Sequence, residues 1–130
     1  MTGSATLPKA ERLRSERLID QLFSSGRGGC VYPLKYRVLV REVGEGEAAA
    51  SVMFSVPKKL FKRAWKRNLI RRRMKESYRQ AKTPLVEKLA SEGRHADIAL
   101  ICAAEKNNIP DYKTIDDAVR KIVSKIVERS

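Results

Sequence analysis

Apolar positions along this chain switch between a helical spacing and a two-residue alternation, and each switch marks a predicted element. In residues 10–24, Leu13 is followed by Leu18, Ile19, Leu22 and Phe23 at i, i+1, i+4, i+5, which predicts a first helix. Gly26 and then Gly28-Gly29 predict its end and a loop. Over residues 31–42, Leu34, Tyr36, Val38 and Val40 alternate with Lys35, Arg37 and Leu39, the pattern of a strand whose start Pro33 constrains. Gly44-Glu45-Gly46 predicts a turn into a second strand over residues 48–56, and hence a hairpin. Residues 58–82 hold neither Gly nor Pro and are rich in helix formers, so a helix of roughly twenty residues is expected. After a break at Pro84, residues 85–91 predict another turn or two of helix, stopped by Gly93. Residues 96–103, with the run Ile98-Ala99-Leu100-Ile101, read as a buried strand, and Asn107-Asn108-Ile109-Pro110 as a loop. Thr114 is the expected cap of a last helix, with Asp116 and Asp117 in its first turn. That helix offers Ala118, Ile122 and Ile126 to the core, joined by Ile115, Val119 and Val123. Residues 1–9 are small, polar and Pro-bearing, and are expected to fray. The whole reads as one α+β domain, residues 1–130, with helices layered on a small mixed sheet.

The long helix has two unlike halves. Ile70, Met74, Tyr78 and Ala81 form an apolar stripe, which continues toward the N-terminus into Arg67 and Arg63; Phe61, Trp65 and Leu69 make a second apolar line on the other side. Charge changes the picture here. The chain has 28 Lys and Arg against 15 Asp and Glu, a net charge of +13, and twelve of the basic residues lie between Lys58 and Lys82 with Glu76 as the only acid among them. An ordinary solvated face mixes signs, because like charges three and four apart repel by a few tenths of a kcal/mol. Lys62/Lys66, Arg63/Arg67 and Arg71/Lys75 are uncompensated at that spacing. The focused potential points to a polyanion, nucleic acid before anionic membrane. Arg67 with Asn68 suits a phosphate backbone, the guanidinium pairing bidentately and the amide reaching a neighbouring hydroxyl or base edge.

Other chemistries find little support. The acidic pairs Asp116-Asp117, Glu45/Glu47 and Glu11/Glu16 fit capping, turn and solvent; no Gly-rich phosphate loop is present. Cys30 and Cys102 stand far apart in apolar contexts and read as buried free thiols of a cytoplasmic protein, without zinc-site spacing. His95, the single histidine, stands between Arg94 and Ala96 in what reads as a polar surface loop. No run of eighteen apolar residues and no secretory signal are found. The residues thus supply no self-sufficient catalytic or metal site and point to an RNA-binding protein.

At the basic stretch a resemblance emerges. Lys58-Lys59, then Ala64-Trp65-Lys66-Arg67-Asn68-Leu69-Ile70-Arg71-Arg72-Arg73-Met74-Lys75-Glu76, resembles the signature of the bacterial ribonuclease P protein subunit. Ala64, Arg67, Asn68, Arg72 and Glu76 match it, and Arg71 and Lys75 exchange one base for another. Arg12-Leu13, Phe23 and Gly26 resemble the family's pattern on its first helix. The chain departs from the pattern at Leu60-Phe61-Lys62-Arg63, which lacks a glycine and is one residue longer, at Trp65 in place of Val, and at Ile19 in place of an aromatic. The resemblance implies a four-stranded mixed sheet like that of the ribosomal S5 domain 2 fold, elements in the order α-β-β-β-α-β-α, and a left-handed βαβ crossover where chain physics alone favours the right-handed one. It implies that the RNA subunit performs the phosphodiester hydrolysis with magnesium ions, that the protein binds no cofactor of its own, and that its partners are ribonuclease P RNA and precursor tRNA, with no DNA or membrane. Lys58, Lys59, Lys62, Lys66, Arg67, Asn68, Arg71, Arg72 and Lys75 would meet the catalytic RNA. Phe23 and Tyr36 would line a cleft for the single-stranded 5′ leader, where an aromatic ring stacks on a base for about 1–3 kcal/mol; a plain core role for Phe23 is the alternative. The competing functional readings are a structural RNA-binding protein, such as a ribosomal protein, and an RNA hydrolase with its own active site.

Overall fold

The computed structural model describes residues 7–129. Its elements are a 3-10 turn (Lys9–Glu11), α1 (Glu16–Ser25), β1 (Arg27–Val31), β2 (Leu34–Glu42), β3 (Ala50–Ser55), α2 (Ala64–Ala81), α3 (Thr83–Glu92), β4 (Arg94–Cys102) and α4 (Tyr112–Arg129). The mixed sheet has the order β1-β2-β4-β3, with β3 parallel to β4 and the other pairs antiparallel.

The expected hairpin between the second and third strands does not form, because β4 pairs with the whole of β2, from Leu34↔Cys102 to Glu42↔Arg94. A strand buried on both faces belongs in the middle of a sheet, and residues 95–100 are buried without a break. The hairpin forms one step earlier. The expected glycine loop after the first helix is strand β1, which folds back on β2 through Tyr32-Pro33, a cis peptide.

Alternation places two apolar clusters on opposite faces of the sheet. Leu34, Tyr36, Val38, Val52, Ile98 and Leu100 face α2, α3 and α4, and meet Ile70, Met74, Tyr78, Leu85, Leu89, Ile115, Val119 and Ile122. Tyr78 packs edge-on against Phe54, ring centres 6.0 Å apart. On the other face Leu39, Met53, Ala99 and Ile101 meet Leu13, Leu18, Ile19 and Leu22, so α1 adds a partial layer there.

Three helix starts lie later or earlier than expected, for local reasons. The first helix begins at Glu16 because Ser15 caps it, accepting from the Leu18 N–H. Arg12 and Leu13 instead run beside β3, with the Leu13 N–H donating to the Val52 carbonyl. The last helix is capped by Asp111, which accepts from the Thr114 N–H at 2.8 Å, so Thr114 lies inside it. The long helix begins at Ala64, for reasons given below. The expected fraying concerns residues 1–6, which lie outside the described residues, and residues 7–9, where it fails: Leu7 is 1% exposed and sits in the large core.

His95 is not a surface residue. It is fully buried, and its Nδ1 and Nε2 face the Ala48 carbonyl and Asp97 Oδ1 (2.8 Å). Both partners only accept when Asp97 is ionised, so the ring donates twice, as imidazolium. Asp97 Oδ2 also accepts from Arg41 Nε at 3.1 Å, and Arg41 continues to Glu47 at 2.6 and 2.8 Å. Burial pulls the His95 pKa down, but the bonds to Asp97 and Ala48 outweigh it and leave it raised. Burial raises Asp97, yet His95 and Arg41 hold it below the usual range, and the Arg41 bonds bring Glu47 to about 2. The signs fix a pH window. The His95 contribution is complete below about pH 6.5 and is lost as pH rises through its elevated pKa; the carboxylate contributions are present above about pH 4 and lost in acid. The melting temperature of His95→Gln, followed from pH 5 to 9, is therefore expected to lose the alkaline decline of the parent. An unchanged decline would place its cause elsewhere.

Candidate nucleic-acid interface

The basic stretch folds as a turn followed by a helix, and the join is built by Arg67. The Leu60 and Phe61 N–H groups both point to the Pro57 carbonyl, and the Leu60 carbonyl is taken by the Asn107 N–H. Arg67 Nη1 reaches back to the carbonyls of Phe61 (2.8 Å) and Lys62 (2.7 Å). With those carbonyls committed, residues 58–63 cannot continue α2 toward its N-terminus. Phe61 is buried in the core, leaving the expected second apolar line, while Trp65 is 58% exposed.

The apolar stripe Ile70, Met74, Tyr78 and Ala81 is buried against the core, as its spacing requires. Asn68, Arg72 and Lys75 lie on the side of α2 away from that stripe, Arg67 continues the stripe's line with Lys66 and Arg71 on its flanks, and Lys58, Lys59 and Lys62 lie on the preceding turn. Lys58, Lys59, Lys62, Asn68 and Arg72 are exposed; Lys66, Arg67, Arg71 and Lys75 are partly so. Asn68 Oδ1 accepts from Arg71 at 2.8 Å, which fixes both side chains on one surface. Among the described residues none of these bases pairs with a carboxylate. Glu76 is held by Arg79 and Gln80, which keep its carboxyl below the usual range. Lys82 pairs with Glu11, and Arg73 is turned to the Pro110 carbonyl. The first turn of α2 has no acidic residue and no side-chain cap, so its dipole adds to the positive potential.

A second feature lies where α1 meets the sheet. Phe23, Gly28, Gly29, Lys35, Tyr36, Arg37 and Ile101 line a shallow hollow. Phe23 is 41% exposed at its edge, which disposes of a plain core role. Tyr36 borders the hollow, but its side chain belongs to the large core on the far face and lies across Gly29, where a Cβ would meet the ring at 2.6 Å. Lys35 and Arg37 alternate with it and point to the α1 side; Arg37 Nη2 donates to the Phe23 carbonyl at 2.6 Å. These two bases were the residues that alternation along β2 could have singled out.

Among the described residues no three His, Cys, Asp or Glu side chains gather as a metal would require. Cys30 is exposed rather than buried as expected, Cys102 is buried, and both are free. No helix of the described residues is long and apolar enough to cross a membrane.

A helix laid across a small mixed sheet, with the bases of its N-terminal half unpaired by carboxylates among the described residues, defines the class: an α+β protein with a concentrated basic surface. Known proteins make the class specific. The family model of ribonuclease P matches residues 7–127. The ribonuclease P protein component of Porphyromonas gingivalis (strain ATCC 33277) is 38% identical over 129 residues, covering 97% of this chain and 91% of that protein. That of Chlorobium phaeobacteroides is 33% identical, covering 93% and 88%. Among solved structures, the RNase P protein of Staphylococcus aureus superposes with a TM-score of 0.67 at 20% identity, over 92% of this chain and 97% of that one. The RNase P protein of Thermotoga maritima gives 0.67 at 21%, over 89% and 97%. The chain belongs to the ribonuclease P protein family. Its role is that of the protein subunit of ribonuclease P in tRNA processing, in partnership with ribonuclease P RNA. The ribosomal-protein and free-standing hydrolase readings give way to it.

Proposed function

We propose that residues 1–130 act in the cytoplasm as a single RNA-binding domain that grips ribonuclease P RNA and precursor tRNA at two separate places, and touches neither DNA nor membrane. Lys58, Lys59, Lys62, Lys66, Arg67, Asn68, Arg71, Arg72 and Lys75 meet phosphates and riboses of the catalytic RNA. Phe23, with Tyr36 as the wall behind it, borders the hollow that takes the single-stranded 5′ leader. The observation that carries the reading is the unpaired charge: a row of bases along α2 and the turn before it with no carboxylate among the described residues to neutralise it. Such a row left in water stores repulsion that phosphates relieve, with release of their counterions. Ribonuclease P is in general a magnesium-dependent ribonucleoprotein. In this reading the ions sit on the RNA, and the protein contributes binding and orientation.

The test is cleavage of labelled precursor tRNA at low magnesium by bacterial ribonuclease P RNA, with and without the protein. Cutting at the mature 5′ end only when both are present is expected. Equal cleavage with and without the protein would overturn the proposal.

Two substitutions separate building from binding. Arg67→Ala removes two charged hydrogen bonds inside the protein, so it is expected to cost about 1.5–3 kcal/mol of stability as well as RNA affinity. Arg72→Ala, at an exposed side chain, is expected to leave the melting temperature alone and reduce the slope of log K against log salt by about 1. A thermal melt and a salt titration of each variant check both.

A further inference from the structure

Trp65 is the chain's only tryptophan, and neither hydrophobic cluster includes it. It stands in the first turn of α2, 58% exposed, with the Lys66 ammonium over its ring at 5.7 Å from the centroid. Asn68 and Arg72, three and seven positions on, lie on the same side of α2, and Lys62 is in the turn just before it, so the indole is set beside the basic residues. Nothing in the fold explains an indole there. The charges around it attract phosphates regardless of sequence or pairing, whereas an indole has no charge to give. What it offers is a flat π-face, which an unpaired base covers at a gain that phosphate contacts cannot supply. Lys66 strengthens such a stack by holding a cation against the ring system.

We infer that Trp65 is a stacking platform for one unpaired nucleobase of the RNA bound along α2. The inference rests on the RNA-binding reading above and adds a non-electrostatic contact to it. A membrane surface is the other environment that accepts an indole beside lysines, but it needs an apolar face of several residues. Here Phe61 is buried in the core and Leu69 is partly covered, which leaves one ring.

The single tryptophan makes its own probe. The full-length protein is titrated with ribonuclease P RNA while indole emission is followed, alongside a fully paired RNA duplex and vesicles containing phosphatidylserine. Quenching by ribonuclease P RNA and none by the duplex is expected. Trp65→Ala is expected to bind ribonuclease P RNA about five- to a hundredfold more weakly, with unchanged salt slope and melting temperature, and Trp65→Phe to recover most of the loss. Full affinity in Trp65→Ala with silent emission in the parent would overturn the inference while leaving the RNA-binding reading intact. An emission shift with vesicles alone would overturn it in favour of a membrane contact. If the parent binds no RNA at all, both readings fall together.

Discussion

Raising the salt concentration from 50 to 200 mM is expected to weaken the complex with ribonuclease P RNA by about a thousand- to a hundred-thousandfold. The size follows from counting partners. Eight bases, Lys58, Lys59, Lys62, Lys66, Arg67, Arg71, Arg72 and Lys75, crowd α2 and the turn before it, and engagement of roughly six to ten phosphates by these and their neighbours gives a loss of this order. Each phosphate met by a base releases condensed counterions, and added salt opposes that release. Carboxylate partners within the protein would blunt the effect, since a base already paired has less to gain. Among the described residues these bases have none. Equilibrium binding at four or five salt concentrations gives the slope directly. A flat response would mean that the basic face of α2 is not where the RNA lies.

Phe61→Ala is expected to destabilise the fold by about 3–5 kcal/mol, the usual cost of emptying a fully buried phenylalanine site. The location makes the loss more than local. Phe61 anchors in the core the turn that carries Lys58, Lys59 and Lys62, and its carbonyl is one of the two that orient Arg67. With the ring gone, the turn is held by the bonds of Leu60 to Pro57 and Asn107 and by Arg67. RNA affinity should therefore fall even where the variant is still folded. Urea unfolding measures the first effect, and binding well below the denaturation midpoint measures the second. A stability loss under about 1 kcal/mol would show that the turn does not depend on this anchor.

The helices were more legible than the sheet. The core face of α4 could be read from Ile115, Ala118, Val119, Ile122, Val123 and Ile126, because burial along a helix repeats at a spacing the sequence displays. The inner stripe of α2 was equally plain. Strand partners were not, because pairing joins residues distant in the chain: no local signal says that residues 94–102 come between β2 and β3. The glycines at Gly28-Gly29 resemble a loop and form an edge strand, where Gly29 makes room for the Tyr36 ring. His95 misled for a related reason. Its neighbours in sequence are polar or small, while the partners that bury it, the Ala48 carbonyl and the Asp97–Arg41 pair, are assembled by the sheet. Among the candidate RNA contacts, residue type and position were visible from the start. That Arg67 would spend part of its guanidinium on its own turn was not, since this depends on where the helix begins.

The central place of β4 has a consequence for how the protein is made. The β1–β2 hairpin can close as soon as it leaves the ribosome, but β3 then has no strand to pair with. Residues 94–102 must emerge before the sheet exists, and residues 112–129 before its large apolar face is covered by α4. Long-range pairing of this kind delays assembly, since the intervening loop must be closed first. The basic helix is thus synthesised well before anything can hold it in place. A nascent chain stalled ahead of residue 94 would show an unprotected α2 to proteases, and protection should arrive in one step once residues 94–129 have emerged. Translation runs from the first residue to the last, while the architecture is completed around one of the last strands to appear.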